Sequence, residues 1–103
     1  MIIINMTKYD IRVKQGEGWL SFPREENYLT LIKKEEILFQ ENGIDYHEIT
    51  FTLKGHLKDE EEGVFYIVTR PIKDALKDRK DLLLMGKKIL KDNKLIGFKN
   101  FII

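Results

Sequence analysis

Asp45 and His47 are the two residues best placed for proton transfer. On an extended strand, residues i and i+2 share a face, so the carboxylate could orient the imidazole as a general base. Ile49 and Phe51 would lie on that same face. The competing reading is a hydrogen-bonded histidine at a sheet edge. His56, with Asp59 and Glu60, offers a weak divalent-cation set, but neither the HExxH spacing nor an EF-hand loop accompanies it, so no metal and no cofactor are expected. Ser21 is the only serine and lacks a GxSxG elbow. Cysteine is absent, which excludes disulfides, thiolate metal sites and a thiol nucleophile. Gly16-Glu17-Gly18 has neither the third glycine nor the following helix of a dinucleotide-binding loop. No nucleophile, base and oxyanion donor combine into a catalytic set.

Binding is better represented. Trp19, Phe22 and Arg24 are the residue types favoured at interaction hot spots, although Trp19 and Phe22 would serve equally as core. Arg70 precedes Pro71 where a helix should start, a place to hold an anion or to pair with Glu48 or the acidic loop. The net charge of +1 hides a division. Residues 1–69 hold 8 Lys/Arg against 13 Asp/Glu, a balance of −5, whereas residues 70–103 hold 10 against 4, a balance of +6. On a helical wheel Lys73, Lys77, Lys80, Lys87, Lys88 and Lys91 fall along one line, and Lys94 and Lys99 extend the tract. Such a stripe suits nucleic-acid phosphates, a solvated helix face, or a second copy offering its acidic run Asp59–Glu62.

The elements that would position these residues are read from periodicity. Tyr9, Ile11 and Val13 alternate with charged residues, Gln15–Gly18 supplies a turn, and Trp19–Phe22 returns as the partner strand. Residues 24–42 admit two readings, a strand at Tyr28–Ile32 followed by a helix over at least Lys33–Asn42, or one longer helix with Tyr28, Leu31, Ile32, Leu38 and Phe39 on one face, with Gly43 at the left-handed cap position in both. Ile49, Phe51 and Leu53 form a strand, and Val64–Val68, apolar on both faces, returns as its hairpin partner and a central strand. Residues 72–92 read as helix, capped by Thr69, with Ala75, Leu76, Leu82, Leu83, Ile89 and Leu90 on one arc. Gly86 within that arc implies a close backbone approach, or a break near Asp81. Leu95–Ile103 reads as a last strand. The expected order is β-β-(α)-β-β-α-β, an α+β domain with a mainly antiparallel sheet and one or two helices on one face.

The run Lys33–Leu38 followed by Glu41–Tyr46 resembles the first helix and second strand of glutaredoxin-like proteins over about a dozen positions. The cysteine motif of that family is missing, so no activity is carried over.

A chain of 103 residues with 43% hydrophobic content is expected to form one domain with a core. Its 14 Ile, 14 Lys and single Ala match AT-rich coding, bacterial or phage. No apolar run reaches the length of a signal peptide or a membrane span, so a cytoplasmic protein without a membrane partner is expected. The expected function is non-catalytic interaction, as a regulator or inhibitor, with another protein or a second copy as partner. Nucleic-acid binding through residues 73–99 is the first alternative, and an anionic-ligand binder or hydrolase using Asp45, His47 and Arg70 is the second.

Overall fold

The computed structural model describes residues 1–103 and is dominated by strand, at 55% against 6% helix. Ten strands, β1 (Ile2–Asn5), β2 (Ile11–Gln15), β3 (Gly18–Phe22), β4 (Thr30–Glu41), β5 (Ile44–Lys54), β6 (Val64–Ile67), β7 (Leu82–Met85), β8 (Lys88–Lys91), β9 (Lys94–Phe98) and β10 (Phe101–Ile102), surround a single helix, α1 (Arg70–Ala75). They form two four-stranded sheets, β1-β6-β7-β10 and β3-β2-β9-β8, and a separate two-stranded ribbon, β4-β5. No helix is long and apolar enough to cross a membrane.

The first sheet is the middle layer. β1, β6 and β7 run parallel, and β10 lies antiparallel at the far edge. β6 is central and apolar on both sides, with Val64, Tyr66 and Ile67 buried. One face carries Val64, Tyr66, Leu82 and Leu84 against Met6, Leu29, Val68 and Ile72 of α1. The other carries Ile67 against Ile11, Val13 and Phe98 of the second sheet, with Phe22 and Phe101 meeting edge to face at 5.5 Å.

The β2–β3 hairpin forms as expected, with Ile11 opposite Phe22 and Gln15 opposite Gly18, and Gly16 supplies a positive φ at its turn. The α+β expectation is overturned elsewhere. Residues 33–41 are strand, because Asn42-Gly43, both at positive φ, close a two-residue hairpin instead of capping a helix. The likeness to a glutaredoxin helix and strand therefore has no structural counterpart. Ile49–Leu53 pairs with β4, while β6 joins β1 and β7, so the expected hairpin between them does not form. The helix over 72–92 ends at Ala75. Leu82-Leu83-Leu84-Met85 is a continuous apolar run, which serves as a buried parallel strand as readily as a helical arc. Asp92 and Asn93, both at positive φ, then turn β8 back into β9. Thr69 does occupy the N-cap of α1 with Pro71 in its first turn, but its side chain makes no capping hydrogen bond.

A buried amide joins the layers. The Asn5 Nδ2 group donates to the carbonyls of Tyr9 (2.6 Å) and Phe22 (2.8 Å), and its Oδ1 accepts from the Thr7 backbone N–H (3.0 Å) and hydroxyl (2.7 Å). Asn5 thus ties the end of β1 to the segment entering β2 and to the end of β3. Truncating it in Asn5→Ala removes the side-chain partner of the Phe22 carbonyl and of the Thr7 amide, at about 1–3 kcal/mol per buried group, while the Tyr9 carbonyl keeps the Thr7 hydroxyl at 3.0 Å. The expected loss is roughly 3 kcal/mol or more, read as a fall of more than about 10 °C in Tm by calorimetry.

Candidate functional site

The β4–β5 ribbon projects from the sandwich as an arm. Its base belongs to the body, where Leu31 and Leu53 are half-buried beside the core. From residue 32 to residue 52 every side chain is exposed. Antiparallel partners share a face, so the register assigns the two faces of the arm. One face carries Leu31–Leu53, Lys33–Phe51, Glu35–Ile49 and Ile37–His47. The other carries Ile32–Thr52, Lys34–Thr50, Glu36–Glu48, Phe39–Tyr46 and Glu41–Ile44, with a bulge at Leu38 between them. Phe39 and Tyr46 stack at 4.6 Å, and Ile37 and Phe51 are 58% and 61% exposed.

Asp45 and His47 do share a face with Ile49 and Phe51, as their spacing implies. They sit on the distal arm in open solvent, where Asp45 accepts from Gln40 and His47 Nδ1 lies 3.9 Å from Glu35. Arg70 opens α1 on the body and is exposed, so the three residues do not build one pocket. The cavity of about 740 Å³ contains none of them. It opens beside edge strand β1, floored by Ile2, Ile4, Val64 and Tyr66 and rimmed by His56 and Lys58. His56, Asp59 and Glu60 do not gather into a cation site; Glu60 instead accepts from the Lys80 backbone N–H at 3.3 Å and faces Arg79 at 3.7 Å.

Trp19, Phe22 and Arg24 do not form an aromatic loop. Phe22 points inward to the core, while Trp19 lies on the opposite, solvent face of the second sheet. Arg24 is exposed, its backbone N–H donating to Asp10 at 3.0 Å. The ring of Trp19 lies against Gly97, with the Arg12 guanidinium 4.6 Å and the Lys14 ammonium 4.9 Å from its centroid. The helical lysine stripe is also corrected. Lys73 lies on α1, Lys77 and Lys80 follow it in irregular chain, Lys87 lies in the β7–β8 connection, and Lys88 and Lys91 lie on β8. The tertiary fold gathers Lys88, Lys91 and Lys94 with Arg12 and Lys14 on one sheet. The arm, Arg12 and Lys14 were not singled out by sequence. The signal available for the arm was Asn42-Gly43 flanked by two stretches of strand length.

Arg79 and Asp81 fasten the loop between β5 and β6. Arg79 Nε and Nη2 hold the two Asp81 oxygens at 2.9 and 2.6 Å, and Nη2 also donates to the Lys58 carbonyl at 2.7 Å. The guanidinium, by hydrogen bond and charge, holds the Asp81 carboxyl below its usual range despite burial. In turn, Asp81 raises the Arg79 pKa.

Known proteins offer no guide: no family model matches the chain, and neither a curated protein nor a solved structure matches it.

A depressed carboxyl pKa stabilises the fold above its unfolded value of about 3.9, and that contribution is lost as pH falls through the lower folded value. Thermal unfolding from pH 7 to pH 2 should therefore show a falling Tm below about pH 4. In Asp81→Asn the Tm at pH 7 should drop and this acid slope should flatten. An unchanged slope in the variant refutes the assignment to Asp81.

Proposed function

We propose that the protein is a one-domain, cytoplasmic, non-catalytic interaction protein that assembles with further copies of itself through the arm. The observation that carries this reading is surface. A compact monomer of 12.2 kDa exposes about 6,100 Å². This chain exposes 8089 Å². The excess of about 2,000 Å² exceeds the roughly 800 Å² per partner of a standard interface. Shape agrees, with a radius of gyration of 17.5 Å against about 13 Å for a compact chain of this length.

The chemistry of the surplus also supports it. The arm exposes Ile37, Ile49 and Phe51 on one face and Phe39, Ile44 and Tyr46 on the other, with Leu38 at the bulge. An isolated two-stranded hairpin is marginal in water, and large contiguous apolar patches mark interaction sites. Absence of cysteine accords with a reducing compartment.

The arm is dispensable for the body, because residues 34–50 enter neither core cluster. Replacing residues 34–50 by Asn-Gly closes the ladder at the Lys33–Phe51 pair. In sedimentation velocity, the intact chain should run larger than 12.2 kDa at about 100 μM, a concentration at which micromolar affinities saturate. The shortened chain should run as a folded monomer. An intact chain that remains monomeric at that concentration overturns the reading.

A further inference from the structure

We propose that the arm's receptor is the outer face of the β3-β2-β9-β8 sheet on a second copy, an inference that rests on the self-assembly reading above. The two surfaces are complementary in charge. Residues 35–50 of the arm carry Glu35, Glu36, Glu41, Asp45 and Glu48 and no lysine or arginine. The four strands of the second sheet carry Arg12, Lys14, Lys88, Lys91 and Lys94 and no carboxylate; Glu17 and Asp92 lie in its turns. Arg12, Lys14, Lys91 and Lys94 lie exposed on its outer face, whereas Lys88, opposite Phe98, lies on the inner side at the sheet edge.

They are also complementary in apolar content. Trp19 presents its ring on that sheet face between Arg12 and Lys14, over Gly97, whose cross-strand partner Ile89 lies on the same face and is half-buried. On the arm, the stacked Phe39 and Tyr46 lie between carboxylates, with Glu36 and Glu48 on one side and Glu41 on the other. Glu36 and Glu48 face each other directly across the ladder, and like charges so placed destabilise a hairpin. Lys34, 2.9 Å from Glu36, offsets one of the two. Lysines of a second molecule would relieve the rest. The same surfaces argue against arm-to-arm contact, which would bring two sets of five carboxylates together.

Arm and sheet are different surfaces, so the contact is heterologous. It builds either a closed ring or an open chain of copies, with reciprocal exchange as the two-membered case.

The test uses the full-length chain and Trp19, its sole tryptophan, as reporter. Trp19 emission should shift with protein concentration in step with assembly, and 1 M salt, where screening acts over about 3 Å, should dissociate the particle. Two triple variants reverse the charges: Glu36→Lys, Glu41→Lys and Glu48→Lys on the arm, and Lys14→Glu, Lys91→Glu and Lys94→Glu on the sheet. Each alone should associate roughly tenfold or more weakly than the unaltered chain. A 1:1 mixture should recover assembly, because each supplies the complement of the other. If the unaltered chain assembles and the sheet variant assembles as tightly, the sheet is not the receptor, while the self-assembly reading stands. If the unaltered chain is monomeric, both fall. If short single-stranded DNA quenches Trp19 and leaves the chain monomeric, the face is a nucleic-acid surface and the proposal is overturned.

Discussion

Everything in the body depends on one buried side chain being able to donate twice and accept twice at the same point. Asn5 ends β1, yet its amide reaches the carbonyls of Tyr9 and Phe22, and its oxygen receives the Thr7 amide and hydroxyl. The Asn5 backbone carbonyl in turn accepts from Glu25 at 3.2 Å. Three departures of the chain, into β2, out of β3 and toward the arm, are held at this one place. A buried polar network of this kind stabilises one arrangement only when every member is satisfied, and no buried side-chain polar atom is left without a partner.

With the sheets joined there, the body uses up its apolar residues on two thin cores. Only 17 of 103 residues are buried, and twelve of them belong to the two apolar clusters between the first sheet and its neighbouring layers. The arm leaves from this body past Gly55, where an added Cβ would come 3.0 Å from both the Leu29 side chain and the Tyr28 carbonyl. Beyond Leu31 and Leu53 it meets no other part of the fold. Its ladder satisfies the backbone, but its side chains lack the third layer that gives a ribbon independent stability. The charge division, acidic arm and basic sheet, then places the two unfinished surfaces of the molecule at complementary sign.

Period-two alternation was legible wherever a strand has one wet face. It identified β2 and β3 as hairpin partners and put Asp45 and His47 on a common face. It was not legible over Leu82–Met85, because a strand buried on both sides and a helical arc have the same composition. Gly86 was correctly marked as a point of close approach: a methyl there would lie 2.6 Å from the Asn100 carbonyl oxygen. Its partner Asn100, fourteen residues away in sequence, could not be named. Asn42-Gly43 was ambiguous for a different reason, since a glycine at positive φ serves a helix cap and a hairpin turn equally, and the Lys/Glu-rich flank favours helix by propensity alone.

By itself, the sequence determined the absence of thiol chemistry, the opposite charge of its two parts, and the places where the chain must turn, since these follow from residue types and local backbone preference. Only the tertiary structure decided which strands are neighbours, and with that which charges act together. Lys91 and Lys94 share a sheet face with Arg12 and Lys14 because β9 lies beside β2, a pairing across more than eighty residues that no local pattern encodes. The same holds for the arm. Its apolar residues are ordinary core types, and they stand in water because long-range pairing gives the body a complete sandwich without them.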